Sequence, residues 1–344
     1  MKHRKWSCTR CSGIEYETGE IRVSGGFWSR IFDVQNKKFS AVTWNMTMLF
    51  TAMVSISITD IGFACETDPV MTGLGNATYT GIEDGPVTLS KGRWEGPPYL
   101  EGSASRPRVG LLEDIYFAGD LDGDGREDTV ALLWQSGGGT GSNIYIAAMK
   151  SENGGYENTS TTLLGDRVKI RGGKIESGRI IIDVLQAGEN DAMCCPTQLA
   201  TRTWILQGNQ LEESEMKVTG ELSLKILEDS EWLLTRMNHE QPVPENATVT
   251  LSFNEGRISG KSACNRYSAV ISEGDNPGDI IIGPAMGTRM ACPDNLMEIE
   301  NSYLESLARV TSFSFHSGSL ALNGQQEDGA LFTMLFIPAG VEPK

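Results

Sequence analysis

Ser259-Gly260-Lys261-Ser262-Ala263-Cys264-Asn265-Arg266-Tyr267 and, after a Gly- and Pro-punctuated hairpin, Gly287-Thr288-Arg289-Met290-Ala291-Cys292-Pro293 decide how this chain is read. The first run continues a strand that begins at Arg257. The second ends a strand just before Pro293, where a helix begins. In that helix Leu296, Ile299, Tyr303, Leu304 and Leu307 fall at helical spacing on one face, with Glu298, Glu300, Asn301 and Glu305 expected off it and Asp294 as the N-cap. Such a stripe packs on a sheet, and strands at 311–316, 319–323 and 331–337 complete it.

This order of elements, with Gly-x-x-x-Cys-Asn-x-Tyr followed by Thr-x-x-x-Cys, resembles the META domain, the family of the HslJ-type heat-shock lipoproteins. The resemblance covers about residues 225–338, with Asn265, Tyr267, Thr288 and Cys292 at the signature positions. It implies a small β-rich, barrel-like sheet carrying one packed helix, found in envelope lipoproteins linked to stress tolerance, with no catalytic machinery. In physical terms the Asn and Thr are expected to bond exposed amides at a tight backbone crossing.

The remainder of the chain is also expected to be β. At 344 residues it exceeds one typical domain, and its 39 glycines and recurring short β-branched runs favour two antiparallel β domains. The expected boundaries are 76–207 for the first and 222–340 for the META-like domain, joined by an acidic linker over 208–221. In the first domain, alternation in Tyr145, Ala147, Met149 and in Ile180, Ile182, Val184 marks strands with one covered face.

Between two such strands lies Gly119-Asp120-Leu121-Asp122-Gly123-Asp124-Gly125-Arg126-Glu127-Asp128. Carboxylates at positions 1, 3, 5 and 9, with Gly at position 6, are how a loop collects oxygens around a hard cation. The Arg126 carbonyl, at position 7, completes the expected set. Position 12 is Ala131, so the bidentate Glu of an EF-hand is missing. The loop resembles the β-hairpin calcium loops of integrin-type FG-GAP repeats, which implies a structural Ca2+ held by Asp120, Asp122, Asp124, Arg126 and Asp128. Without a position-12 Glu its affinity is expected on the order of 10⁻⁴–10⁻³ M. The glycine-rich run 136–142 lacks the Gly-Lys-Ser/Thr ending of a phosphate loop and precedes a strand, so it reads as a hairpin connection.

The N-terminal segment supplies an address. Basic Lys37-Lys38 lead into the apolar run 46–58 and then Gly62-Phe63-Ala64-Cys65, the layout of a secretory signal too short and Ser/Thr-rich to span a membrane. The Ala64-Cys65 junction resembles a bacterial lipoprotein cleavage site, which implies acylation of Cys65, a membrane anchor there, and a periplasmic or surface location. A plain signal peptide is the alternative. Residues 1–36 then read as a non-structural extension, and the lone Cys8-x-x-Cys11 pair lacks the partners of a zinc site.

Export favours cysteine pairing. Of the four remaining cysteines, Cys264 and Cys292 lie at strand positions expected to be neighbours, and a disulfide closing that loop contributes about 3 kcal/mol on the chain-entropy model. Cys194-Cys195 is left as a vicinal disulfide or a reduced pair.

The net charge is −16, and −19 beyond residue 64, a surface that repels nucleic acid. Beyond Cys65 only His239 and His316 are available as bases, and neither G-x-S-x-G nor H-E-x-x-H occurs, so no enzymatic role is expected. The leading expectation is a non-catalytic exported envelope protein of META type. The alternative is a calcium-dependent binding or inhibitory module for a secreted enzyme or a glycan, for which Trp94, Tyr99, Trp134 and Tyr145 are the candidate aromatic contacts.

Overall fold

The computed structural model describes residues 68–340 apart from 102–104, 140, 153–154, 190, 193–194 and 239–240. The expected extension over 1–36, the signal segment with Cys65, the Cys8/Cys11 pair and Cys194 lie outside the described residues. Residues 67–344 form one compact unit. Its strands are all antiparallel and arranged in three main sheets and a small ribbon.

The chain enters through helix α1 (Pro69–Leu74), capped by Asp68, whose carboxylate accepts from the Val70 amide at 2.8 Å, with Pro69 in the first turn. The folded part therefore begins ahead of residue 76, the expected start of the first domain. A two-stranded ribbon follows, β1 (Thr78–Tyr79) and β2 (Val87–Thr88). Next comes a five-stranded meander: β3 (Arg93–Glu95), β4 (Arg108–Gly119), β5 (Asp128–Ser136), β6 (Asn143–Glu152) and β7 (Gly155–Asp166). A second meander has four strands: β8 (Lys169–Glu176), β9 (Arg179–Gln186), β10 (Gln198–Gln207) and β11 (Gln210–Glu221).

Strand β5 explains how these layers stack. Val130 and Leu132 point into a core shared with Ile180, Ile182, Val184 and Trp204 of the second meander. Ala131 and Leu133 point the other way, into a core with Leu74, Tyr79 and Val87 of α1 and the ribbon. A strand covered on both faces reads as a continuous apolar run, as Val130–Trp134 does.

Two strands depart from the sequence expectation. β7 is rich in Thr and Ser and shows no apolar alternation, yet it pairs with β6 along its length. The stretch 208–221, expected as a linker, contains β11, twelve residues paired with β10. Leu211 is its one buried side chain, so its ladder is held by backbone bonds and leaves no hydrophobic signature. Bulges at Ser214 and Thr219 interrupt its pairing and blunt this exposed edge.

The C-terminal sheet holds β12 (Glu231–Met237), β13 (Gln241–Pro242), β14 (Thr250–Asn254), β15 (Arg257–Lys261), β16 (Arg266–Glu273), β17 (Ile280–Ile282), β18 (Met286–Gly287), β19 (Val310–His316), β20 (Ser319–Gln325) and β21 (Leu331–Pro338), with helix α2 (Asp294–Leu307) between β18 and β19. The main path runs β17-β16-β15-β14-β12-β21-β20-β19. Its two ends approach each other where the Phe313 amide bonds the Gly278 carbonyl at 2.8 Å, so the sheet curls into a nearly closed barrel. Tyr303 and Leu307 of α2 are buried in the barrel core, with Leu296, Ile299 and Leu304 packed against it. The N-cap of α2 is Pro293 in an extended conformation, which makes Asp294 the first helical residue, where its charge faces the positive end of the helix dipole.

The second meander and the barrel meet closely. The Gly318 amide bonds the Ile170 carbonyl at 3.0 Å, the Arg171 guanidinium lies 5.1 Å from the Phe315 ring centroid, and Leu185 and Leu199 join the barrel's core cluster.

Candidate functional site

Two constellations named from sequence take shape in this fold. The first is the Asp-rich turn between β4 and β5. Gly123 and Gly125 adopt φ of +80° and +81°, the left-handed region that a side chain resists, and this curls the loop. Asp120 accepts from the Gly123 amide at 2.7 Å and the Gly125 amide at 3.0 Å. Oxygens of Asp120, Asp122 and Asp124 come within 4.8 Å of one another. Hard carboxylate oxygens at that spacing suit a divalent cation.

Two positive groups already address the cluster. The Lys150 ammonium, reaching across from β6, sits 2.5 Å from Asp122 Oδ2, and the Arg126 guanidinium bonds Asp124 Oδ2 through Nε at 2.8 Å. The Lys150 bond holds the Asp122 carboxyl below its usual range, and the Arg126 bond does the same for Asp124. The bond to Asp122 in turn raises the Lys150 pKa.

Asp128 stands apart from the three. It is 5% exposed and its Oδ2 accepts from the Leu121 amide at 3.1 Å, so it braces the base of the loop. Burial, and next the charges of Asp122 and Asp124, push its pKa up against that bond. The cluster therefore unites three of the four carboxylates read from sequence. The Arg126 side chain, which that reading left unused, bonds Asp124. Lys150 was invisible as a partner because it comes from the next strand pair.

The second constellation is the backbone crossing at Cys264 and Cys292, which form a disulfide with Cα atoms 6.0 Å apart. The chain passes through Ala263 at φ +74°. At Gly260 a β-carbon would collide with the Thr250 carbonyl oxygen, which is why the signature begins with glycine. Asn265, 2% exposed, uses its whole amide: Oδ1 accepts from Thr288 Oγ1 and the Met290 amide, both at 2.7 Å, while Nδ2 donates to the Met290 carbonyl at 3.3 Å and Glu300 Oε1 at 2.9 Å. The Thr288 hydroxyl also accepts from the Arg266 amide at 3.2 Å.

Beneath this crossing lies Glu300, expected on the outer face of α2 and found 6% exposed. The helical arithmetic could have placed it inside, four residues after Leu296 and three before Tyr303. Its Oε2 accepts from the Asn265 amide at 2.7 Å and the Ser262 hydroxyl at 2.8 Å. Burial works to raise its pKa, but the donors from Asn265, Ser262 and the Cys264 amide outweigh it and hold the carboxyl below its ordinary value. Beside it, Tyr267 donates to the Thr250 carbonyl at 3.0 Å and its hydroxyl lies 2.5 Å from that of Tyr303. Both phenols are raised above the usual range by burial. Every polar side chain here points at backbone or at another member of the network, and the arrangement acts as a latch between strand crossing and helix.

The aromatic candidates divide. Trp94, Trp134 and Tyr145 are half-buried, and Tyr99 is 55% exposed. Register puts Trp94 and Tyr145 on the face of the first meander that covers α1, while Trp134 packs over Gly110 on the opposite face.

Comparison with known proteins adds a family for the C-terminal part: residues 225–335 match the META domain. Residues 7–47 match a nucleic-acid-binding protein containing a Zn-ribbon domain. That stretch holds Cys8 and Cys11 and no further Cys or His, two of the four ligands a structural zinc takes. No curated protein matches the chain. Among solved structures, an NMR structure of a protein from Burkholderia xenovorans is 26% identical, over 34% of this chain and 86% of that one, with a TM-score of 0.28.

Proposed function

We propose that this chain is a non-catalytic, exported envelope protein in which the META domain serves a stress-related role, anchored to a membrane through an acylated Cys65. The observation that carries this reading is the Cys264–Cys292 disulfide inside the matched region, because such bonds persist in oxidising compartments and are rare in the cytosol. The latch supports it from the other side. Its polar groups are consumed in holding the crossing, with no base, nucleophile or open coordination position left over for chemistry. The test is metabolic labelling with a radioactive fatty acid in a bacterial host. Label on the wild type and none on Cys65→Ser fits the proposal, and equal label on both rejects the anchor.

A structural calcium belongs to the same reading. Asp120, Asp122 and Asp124 would hold it, and the ion would supply only charge neutralisation for a loop of crowded carboxylates. Lys150 and Arg126 provide that neutralisation in its place, so calcium binding is a competition with an ammonium and a guanidinium.

A binding module for a secreted enzyme or a glycan is the second reading. It is favoured by a polar depression on the first meander beside the exposed Tyr99.

A further inference from the structure

The depression lies at the end of β5 farthest from the Asp-rich loop. Directly opposed residues in a sheet share a face, and the register aligns Trp94 with Val109, Val109 with Gln135, Gln135 with Asn143, and Asn143 with Asp166. These five residues form a row across all five strands, about 19 Å long at strand spacing. Val109 is fully buried in the core under α1 and the ribbon, with Trp94 packed against it, so the row is open only at its other end, over two amides and a carboxylate. Gly137, Gly139 and Gly141, which carry no side chains, line that polar end. The Tyr99 hydroxyl lies beside Gly137.

The polar groups are pre-ordered and only partly used. Gln135 Nε2 donates to Glu83 Oε1 at 2.9 Å, and Asn143 Nδ2 donates to Gln135 Oε1 at 3.1 Å. Asp166 accepts from the Ser142 amide at 2.9 Å and pairs with Arg167 at 2.9 Å. One N–H on each amide and the Asn143 oxygen are left without a described partner, so donors and an acceptor stand side by side. Sugar hydroxyls, each both donor and acceptor, match that mixture. A flat, polar lining gives little to an apolar ligand, which needs enclosure. The chain is acidic, at −16 overall, and Glu83 borders the site while Asp166 is neutralised by Arg167, so the balance of charge disfavours anions. Exposed Tyr99 offers the flat face against which the C–H side of a sugar ring packs.

We propose that the depression lined by Gln135, Asn143 and Asp166, with Tyr99 at its rim, binds one or two units of an uncharged oligosaccharide. This rests on the binding-module reading but departs from the calcium dependence expected from sequence, since the Asp-rich loop is at the other end of the strand.

The test is saturation-transfer NMR on the full chain with three uncharged tetrasaccharides, of β-1,4-glucose, β-1,4-N-acetylglucosamine and α-1,6-mannose, against tetragalacturonate as the charged control. Saturation of at least one uncharged sugar, none of the charged one, and a loss of at least fivefold in both Asn143→Ala and Tyr99→Ala is the expected result. Asp120→Ala should leave the signal unchanged, and melting temperatures within a few degrees of wild type show that the variants fold. Transfer from none of the three sugars overturns the proposal and leaves the binding-module reading only its protein-partner form. Transfer that survives both variants overturns this site while keeping glycan binding, and equal transfer from tetragalacturonate overturns the charge argument.

Discussion

Replacing Glu300 by Gln tests the latch with almost no change of shape. The carboxylate accepts from the Asn265 amide, the Asn265 side chain and the Ser262 hydroxyl at 2.7–2.9 Å, all in a site 6% exposed. A glutamine keeps one oxygen and turns an NH2 towards at least one of those donors. One charge-assisted bond is then lost and the others become neutral, together about 3 kcal/mol from hydrogen bonds to charge worth roughly 1.5–3 kcal/mol each. For a cooperative unit of this size that lowers the melting temperature by roughly 6–12 °C. Differential scanning calorimetry at pH 7, beside the exposed Glu298→Gln as control, measures it. The sign with pH is also set. The folded Glu300 pKa is depressed, so its contribution is complete above the unfolded carboxyl value near pH 4.3 and is lost as pH falls through the folded value. Wild type and Glu300→Gln should therefore converge in acid. Equal melting temperatures for Glu300→Gln and Glu298→Gln at pH 7 would refute the reasoning.

Three other outcomes follow from the geometry. Tyr267→Phe should cost more than Tyr303→Phe by urea unfolding, about 2–3 against about 1 kcal/mol, because it strands both the Thr250 carbonyl and the Tyr303 hydroxyl. Reducing the Cys264–Cys292 bond, with 28 residues of separation, should lower stability by about 3–4 kcal/mol on the chain-entropy model, read as a shift in the denaturant midpoint. Millimolar calcium should raise the melting temperature of wild type and not of Asp120→Ala, and Lys150→Ala should bind calcium several-fold more tightly in a calorimetric titration, because the ammonium competes for Asp122.

The sequence spoke where burial is one-sided and local. Alternation located β6 and β9, the apolar stripe located α2, and the spacing of Asp120, Asp122 and Asp124 anticipated a cluster that the fold does assemble. The Cys264–Cys292 bond forms as expected, although the cysteines sit in the turn between β15 and β16 and in the segment leading to α2 rather than on neighbouring strands. It was silent where stability resides in backbone ladders or distant partners. β11 carries one buried side chain and β7 is polar, so neither has a period to detect. Glu300 was misplaced because charge outweighed helical position. Lys150, 28 residues from Asp122, and Ser262, 38 from Glu300, meet their partners through tertiary register that no local pattern encodes.

Export underlies the proposed role, and intact mass spectrometry of the protein isolated from its native membrane fraction tests it most directly. The expected species begins at Cys65, carries the added mass of acyl chains and keeps Cys264 and Cys292 resistant to alkylation until reduced. A soluble chain beginning at Met1, with both thiols alkylated at once, would contradict it.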